Sequence, residues 1–475
     1  MTVGALWLFL AVGLPVLGAL LANLSSIDLA YHLRAGTMIL ESGAIPARDT
    51  FTFTAAGGPW LDQQWGAQVI LAAVYRVAGW TGLVVLRAAL VGALFGVVLA
   101  TCRRAGLTRH AAAWLTLAAF IVTAVSLALR PQLFGMLLFA VVVYLVVDRR
   151  AHPSRLWLII PIVAAWANLH GSFFLAPLIL GLAWLTDLRD RVPGAHRTLA
   201  VALLAALAAC INPFGPQVWA YAAGLTTNAA VTARITEWQP TSVGSAPGIL
   251  FFGSAVGVAI ALARAQRRVA WPALLWLTVF FAIGSFAARG VAWWPMGVLP
   301  VVAPLLAAQG GSATEQVIQR HQRPNLAIAV AIVLVAVALL PIWRPIDPGL
   351  GAPAGVIGSA PSGMTAALRT LARADDRLLN PQPWGSWFEF AVPPLPVAID
   401  SRIELFPERT WDDYETVTTA GAGWLSIVDH WAVTIIATAR DGDAGLGAAL
   451  SADPGWRQIF EDADGRLFVR SDRPT

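Results

Sequence analysis

The first 343 residues are dominated by apolar runs that each approach the length of a bilayer crossing. A membrane helix takes about 17–25 such residues. Segments 4–24, 81–101, 111–128, 132–148, 156–168, 172–187, 198–211, 247–263, 271–287, 292–308 and 325–343 qualify or nearly qualify, giving about eleven spans. The charged share of the chain is 12%, about half that of soluble domains. The pattern predicts an α-helical polytopic membrane protein. The N-terminal run "MTVGALWLFLAVGLPVLGALLANL" lacks a basic leader and reads as a retained first helix.

All 32 basic residues are arginine, and the net charge is +5. In a soluble chain that balance would suggest nucleic acid. Here the arginines gather in short connections, "CRRAGLTRH", "DRRAHPSR", "DLRDRVPGAHR", "RAQRR" and "QRHQR", on every second inter-helix link. The positive-inside rule assigns these to the cytoplasm, so no nucleic-acid partner is expected. The N-terminus is then cytoplasmic and residues 25–80 form a long first outer loop. Cys102 and Cys210 fall near opposite ends of their predicted helices, so no disulfide is expected.

The predicted division is a transmembrane domain over 1–343 that carries this loop, a Pro/Gly/Ser linker over 344–361, and a small extracytoplasmic α/β domain over 362–475. Within the loop, residues 28–43 and 64–79 read as interfacial helices, the second ended by Gly79 or else opening a longer span. The intervening "TFTFT" is β-like.

With this topology the polar motifs collect on the outer face, which is what one site at the membrane surface requires. Asp28 and His32 are four apart and share a helix face. A carboxylate partly withdrawn from water is a better base near neutral pH, so Asp28 is the candidate catalytic residue. The competing reading of "SSID" is a serine N-cap with an acid in the first turn. Asp62 and Gln64 in "DQQW", beside Trp65, offer hydrogen bonds and an aromatic face to a sugar, or simply start a helix. His32, His170 in "NLHGS" and Glu237 in "ITEWQP" join them as candidate substrate contacts. Arg130 in "LRPQ" and Arg289 in "AARG" run against the positive-inside bias. Bidentate phosphate binding is one reason for such arginines, and a pair with Asp62 or Glu237 is another. Asp49 reads as a turn residue. Asp400, Arg402 and Glu404 alternate, and are expected to pack against the outer loops. No spacing matches a zinc, Walker or dinucleotide motif.

These motifs also carry a resemblance. "IDLAYHLRAGTMILESGAIPARDTFTFTAAGGPWLDQQW" resembles the first outer loop of bacterial GT-C fold membrane glycosyltransferases. The nearest branch reads Asp-x-x-x-His-x-x-x-Gly, then Pro-x-x-Asp-x-Phe, then an acidic or amide Trp motif. "LRPQLF", "NLHGSF", "NPFG" and "EWQP" follow in that branch's order, and "NPQPWGSWFEFAVPPLPVAIDSRIELF" resembles its extramembrane domain. The resemblance spans most of the chain and rests on the ordered set, not on one motif. It implies a sugar donated from a polyprenyl phosphate, with inversion, to a lipid, glycan or protein hydroxyl outside the cytoplasm of a bacterial plasma membrane. It also implies that the first-loop acid, which Asp28 matches by position, serves as base or acceptor-binding group. Relatives often pair two acids there, whereas "SSID" has one. No cofactor is called for, and a divalent metal is left open. The alternatives are a flippase for lipid-linked glycans and a non-catalytic assembly protein of the cell envelope.

Overall fold

The computed structural model describes residues 1–227, 234–265, 268–309, 322–393 and 395–473. Helix α1 (Val3–Leu21) starts at Thr2, whose hydroxyl accepts from the Ala5 N–H at 3.2 Å. Helix α2 (Ser26–Ser42) ends at Gly43, left-handed at φ 69°. Helix α3 (Trp65–Arg104) is broken at Gly79, with φ 56° and ψ −153°, a backbone state open to glycine alone. The expected short helix and the following span are therefore two arms of one element. After α4 (Arg109–Thr123) come α5 (Pro131–Asp148), with Pro131 at its first position, α6 (Ile159–Trp166), α7 (Leu175–Arg189) and α8 (Ala195–Ala208). Later apolar helices are Ala246–Ala263, Trp271–Phe286, Leu299–Gln309 and Arg323–Ala338.

Among the described residues six helices are long and apolar enough to cross a membrane, or seven if Ala288–Gly297 and Leu299–Gln309, bent by 44°, count as one span. Four more apolar helices are shorter, at 10–17 residues. They overlap the expected segments 156–168, 198–211, 271–287 and 325–343. The chain is a multi-pass membrane protein.

The chain divides into two compact units: a helical unit (Met1–Ala22 and Val84–Leu340) and a mixed unit (Asn23–Leu83 and Pro341–Thr475). In the helical unit, Phe139 of α5 is the centre of an aromatic core, with ring centroids 6.3 Å from Trp166, 5.8 Å from Phe280 and 5.5 Å from Trp293. Three of the five arginine-rich connections, "CRRAGLTRH", "DRRAHPSR" and "DLRDRVPGAHR", meet at one end; "RAQRR" and "QRHQR" lie partly outside the described residues. Arg104 bonds Asp148, Arg149 grips Asp187 through Nε and Nη2 at 2.8 Å each, and Arg150 reaches Asp190 at 2.7 Å. These pairs bring together the C-terminal ends of α3, α5 and α7. Arg130 stands at the other end of α5, about 27 Å away at 1.5 Å per residue.

The mixed unit differs from the expected partition. The first loop, placed by sequence with the transmembrane domain, groups with residues 341–475. Backbone pairing is the reason: β1 (Leu24–Ser25) runs parallel to β4 (Ile357–Gly358), and Thr52 bridges Val397. The stretch 344–361, expected as a linker, supplies β4 and also β2 (Ile346–Asp347) paired antiparallel with β3 (Ala352–Pro353). "TFTFT" makes only that isolated bridge, not a strand. A four-stranded sheet in the order β5-β6-β8-β7 is formed by β5 (Leu378–Leu379), β6 (Ile435–Ala439), β7 (Trp456–Glu461) and β8 (Gly465–Arg470). Helices Ser362–Leu371 and Ala444–Ala452 pack on it. Gly36 lets α2 lie directly on α3, since a Cβ there would stand 2.1 Å from the Gln68 carbonyl oxygen.

Candidate functional site

In the mixed unit, Asp28 and His32 both belong to α2, Asp28 half-buried in its first turn and His32 buried with its ring 4.0 Å from that of Tyr31. Ser25 occupies the N-cap position, but its hydroxyl makes no cap bond. Asp62 is buried just before α3, and one carboxylate oxygen accepts from Gln68 Nε2 at 2.7 Å while the other takes no hydrogen bond. Burial raises its pKa to about 7, a rise that the Gln68 hydrogen bond and the Arg402 charge only partly oppose. Gln64 is half-buried, and its carbonyl accepts the first N–H bonds of α3 from Ala67 and Gln68. Gln68 was not singled out by sequence, where it reads as one more helix residue.

Behind these residues lies a sealed ionic knot. Arg402 donates to Asp49 at 2.8 Å, and to Asp400 through Nε at 2.8 Å and through Nη2. Glu389 lies 3.9 Å away. The guanidinium sits 4.5 Å from the Trp60 ring centroid, 4.7 Å from Phe51 and 5.8 Å from Tyr31. Its side chain is 1% exposed. The acids around it hold it protonated, and burial together with the Asp400 charge pushes the Glu389 carboxyl well above its usual range. Asp49 does serve as a turn residue, accepting from the Phe51 and Thr52 N–H groups, and it carries this ion pair as well. Thus "IDSRIELF" does pack against the first loop. Glu389 was not singled out by sequence, where nothing local in "WFEF" marks its acid as a neighbour of Arg402.

In the helical unit two candidate arginines meet one acid. Arg130, the N-cap residue of α5, donates through Nη2 to Glu237 Oε1 at 2.8 Å. Arg289 Nε lies 3.7 Å from Glu237 Oε2, and its guanidinium stands 5.2 Å from the Trp238 ring centroid. The backbone sets this meeting, since the Ala288 N–H donates to Gln239 and the Thr241 N–H to Ser285. The cluster is open: Arg130 is 15% exposed, Arg289 28% and Glu237 41%.

His170 does a different job. Its Nδ1 accepts from the Ser172 N–H at 3.2 Å and from the Ser172 hydroxyl at 2.7 Å, capping the short helix Gly171–Phe174. The proton then sits on Nε2. Gly135 of α5 makes room, because a Cβ there would lie 3.1 Å from that Nδ1.

Among the described residues, no three His, Cys, Asp or Glu side chains are grouped so as to hold a metal ion.

No family model matches this sequence, and no curated protein does. Solved structures do. An oligosaccharyltransferase from Archaeoglobus fulgidus, solved tethered to an acceptor peptide with an NVT sequon, superposes with a TM-score of 0.55 over 98% of this chain and 74% of its own, at 12% identity. The arabinofuranosyltransferase AftD from mycobacteria gives 0.59 over 98% of this chain at 17% identity. This chain spans only 41% of that larger protein. The fold is of the GT-C type. Identities this low speak for the fold alone.

Proposed function

We propose that this chain is a membrane glycosyltransferase that moves a sugar from a polyprenyl-phosphate donor to a hydroxyl of a lipid, glycan or protein on the outer face of a bacterial plasma membrane. The observation that carries the reading is the convergence of Arg130 and Arg289 on Glu237. Two guanidiniums held within reach of one carboxylate are also spaced for a phosphate, which presents its oxygens to planar donors in the same way. A departing polyprenyl phosphate gains negative charge as the bond to the sugar breaks, and fixed cations stabilise that charge most where it develops. Glu237 holds the pair in place before the donor arrives.

Asp28 takes the proton of the acceptor hydroxyl as that oxygen attacks the anomeric carbon and the phosphate leaves, and the transfer inverts the centre. His32, Asp62 and Gln64 contact sugar. The arginine-rich connections face the cytoplasm, as does the N-terminus, and the mixed unit works outside. About eleven spans, counting the shorter apolar helices, fit this orientation. No step calls on a metal.

The experiment is transfer from radiolabelled polyprenyl-phosphate sugars by membranes containing the protein. Asp28→Asn, folded normally, loses transfer. Transfer retained in that variant removes the base role. Translocation without transfer establishes a flippase instead, and neither activity establishes an assembly protein.

A further inference from the structure

At the arginine-rich end of the helical unit, the ends of α5 and α7 and the helices Trp271–Phe286 and Leu299–Gln309 line a half-open cavity of about 330 Å³. Most of its wall is apolar, formed by Trp276, Val301 and Leu305 with Pro300 and Pro304. It is a fixed shape. The Trp276 Nε1–H donates to the Gly297 carbonyl at 2.7 Å, and Gly297 is packed so tightly that a Cβ would fall 2.4 Å from the Phe280 ring. Pro304 interrupts the facing helix, which is itself bent by 44° from the preceding one.

The polar part of the wall is divided between a fixed and a free cation. Arg149 has its donors committed, Nε and Nη2 to Asp187 and Nη1 to the Val146 carbonyl. It sets the sign of the wall but has little left to offer a ligand. Arg268 is exposed and makes no ion pair among the described residues. Among the described residues at this end the arginines outnumber the acids, since Asp148, Asp187 and Asp190 are shared among Arg104, Arg149, Arg150, Arg155 and Arg189. An apolar slot with a cation at its mouth, at the end of spanning helices, matches an acyl chain joined to a phosphate at headgroup depth.

We propose that this cavity binds one anionic phospholipid, an acyl chain lying against Trp276, Val301 and Leu305 and the phosphate on Arg268. The site stands at the opposite end of α5 from Arg130 and does not depend on the transferase reading. A phosphate that binds without a chain, or a polyprenyl phosphate that prefers this slot, would be a different ligand, and the test separates them.

The full chain in mild detergent is titrated, with native mass spectrometry as readout, against phosphatidylglycerol, phosphatidylcholine of the same chains, inorganic phosphate and a polyprenyl phosphate. One phosphatidylglycerol is retained at least tenfold more strongly than the others. Arg268→Glu weakens it about tenfold, whereas Arg457→Glu, an exposed arginine of the mixed unit, leaves it unchanged. Val301→Phe fills the slot and also weakens it with Arg268 intact. Equal retention of the two phospholipids overturns the proposal. So does unaltered retention in Arg268→Glu or in Val301→Phe, and so does tighter binding of inorganic or polyprenyl phosphate.

Discussion

The two units handle buried charge in opposite ways. The mixed unit closes Arg402 under three aromatic rings and three acids, at 1% exposure. The helical unit leaves Arg130, Glu237 and Arg289 partly in water. A sealed ion cluster cannot exchange partners with a ligand, and breaking it leaves an uncompensated buried charge. An open cluster can trade Glu237 for another anion, because water already shares its solvation. Exposure, more than the number of ion pairs, marks Arg402 as a residue of the fold, and it is what the proposed phosphate role of Arg130 and Arg289 requires.

The largest effect that tests this contrast is loss of Arg402. Arg402→Ala strands Asp49 and Asp400 in the core, and the expected loss is about 3–5 kcal/mol. Thermal unfolding and the yield of folded protein check it. Arg402→Lys is expected to fail as well, since an ammonium has no planar fork for Asp400 and Asp49. Recovery of full stability by lysine would break the contrast. Next come Arg130→Ala and Arg289→Ala. Each is expected to cost about a hundredfold in transfer rate, with stability changed by less than about 1 kcal/mol, as for an open ion pair. Initial rates alongside unfolding curves separate the two. A melting shift as large as that of Arg402→Ala would place these arginines with the fold instead.

A smaller effect comes from Asp62, which is buried like Arg402 yet has only Gln68 to accept from. Its pKa of about 7 exceeds the unfolded value of 3.8, so the folded state keeps a proton that the unfolded chain releases. Its favourable contribution is complete below about pH 4 and is lost as pH rises to about 7. Asp62→Asn removes that dependence and raises stability above pH 7 by about 1–2 kcal/mol, less than the full shift implies. Unfolding curves from pH 4 to 8 check it, and an unchanged slope refutes it.

What the sequence made legible follows from which forces are local. Apolar run length speaks directly of spans, and three of the five alternate arginine connections meet at one end, through Arg104, Arg149 and Arg150. Gly79 announced a break, because its backbone state is one that glycine alone fills. The grouping of the first loop with residues 341–475 was legible only in part, through the expectation that Asp400, Arg402 and Glu404 pack against the outer loops. The pairing of β1 with β4 and the choice of Asp49 as the partner of Arg402, more than 350 positions away, were not, since nothing local distinguishes that partner from any other turn aspartate. Glu389 was hidden for the same reason. Of the two readings that the sequence offered for Arg130 and Arg289, the pairing with Glu237 is present, and the proposed phosphate role rests on the same geometry.

His170 gives the smallest effect and the finest discrimination. It was a candidate substrate contact on account of its place in "NLHGS", yet its Nδ1 is occupied by the Ser172 N–H and hydroxyl. A cap of this kind is worth about 0.5–2 kcal/mol, so His170→Ala lowers stability by that amount. Asparagine presents a side-chain oxygen at nearly the same reach and caps well. His170→Asn is therefore expected to restore both stability and transfer. If it restores stability but not transfer, the Nε2–H is doing something the cap does not require, and His170 belongs with Arg130 and Arg289 on the open, ligand-facing side of the contrast.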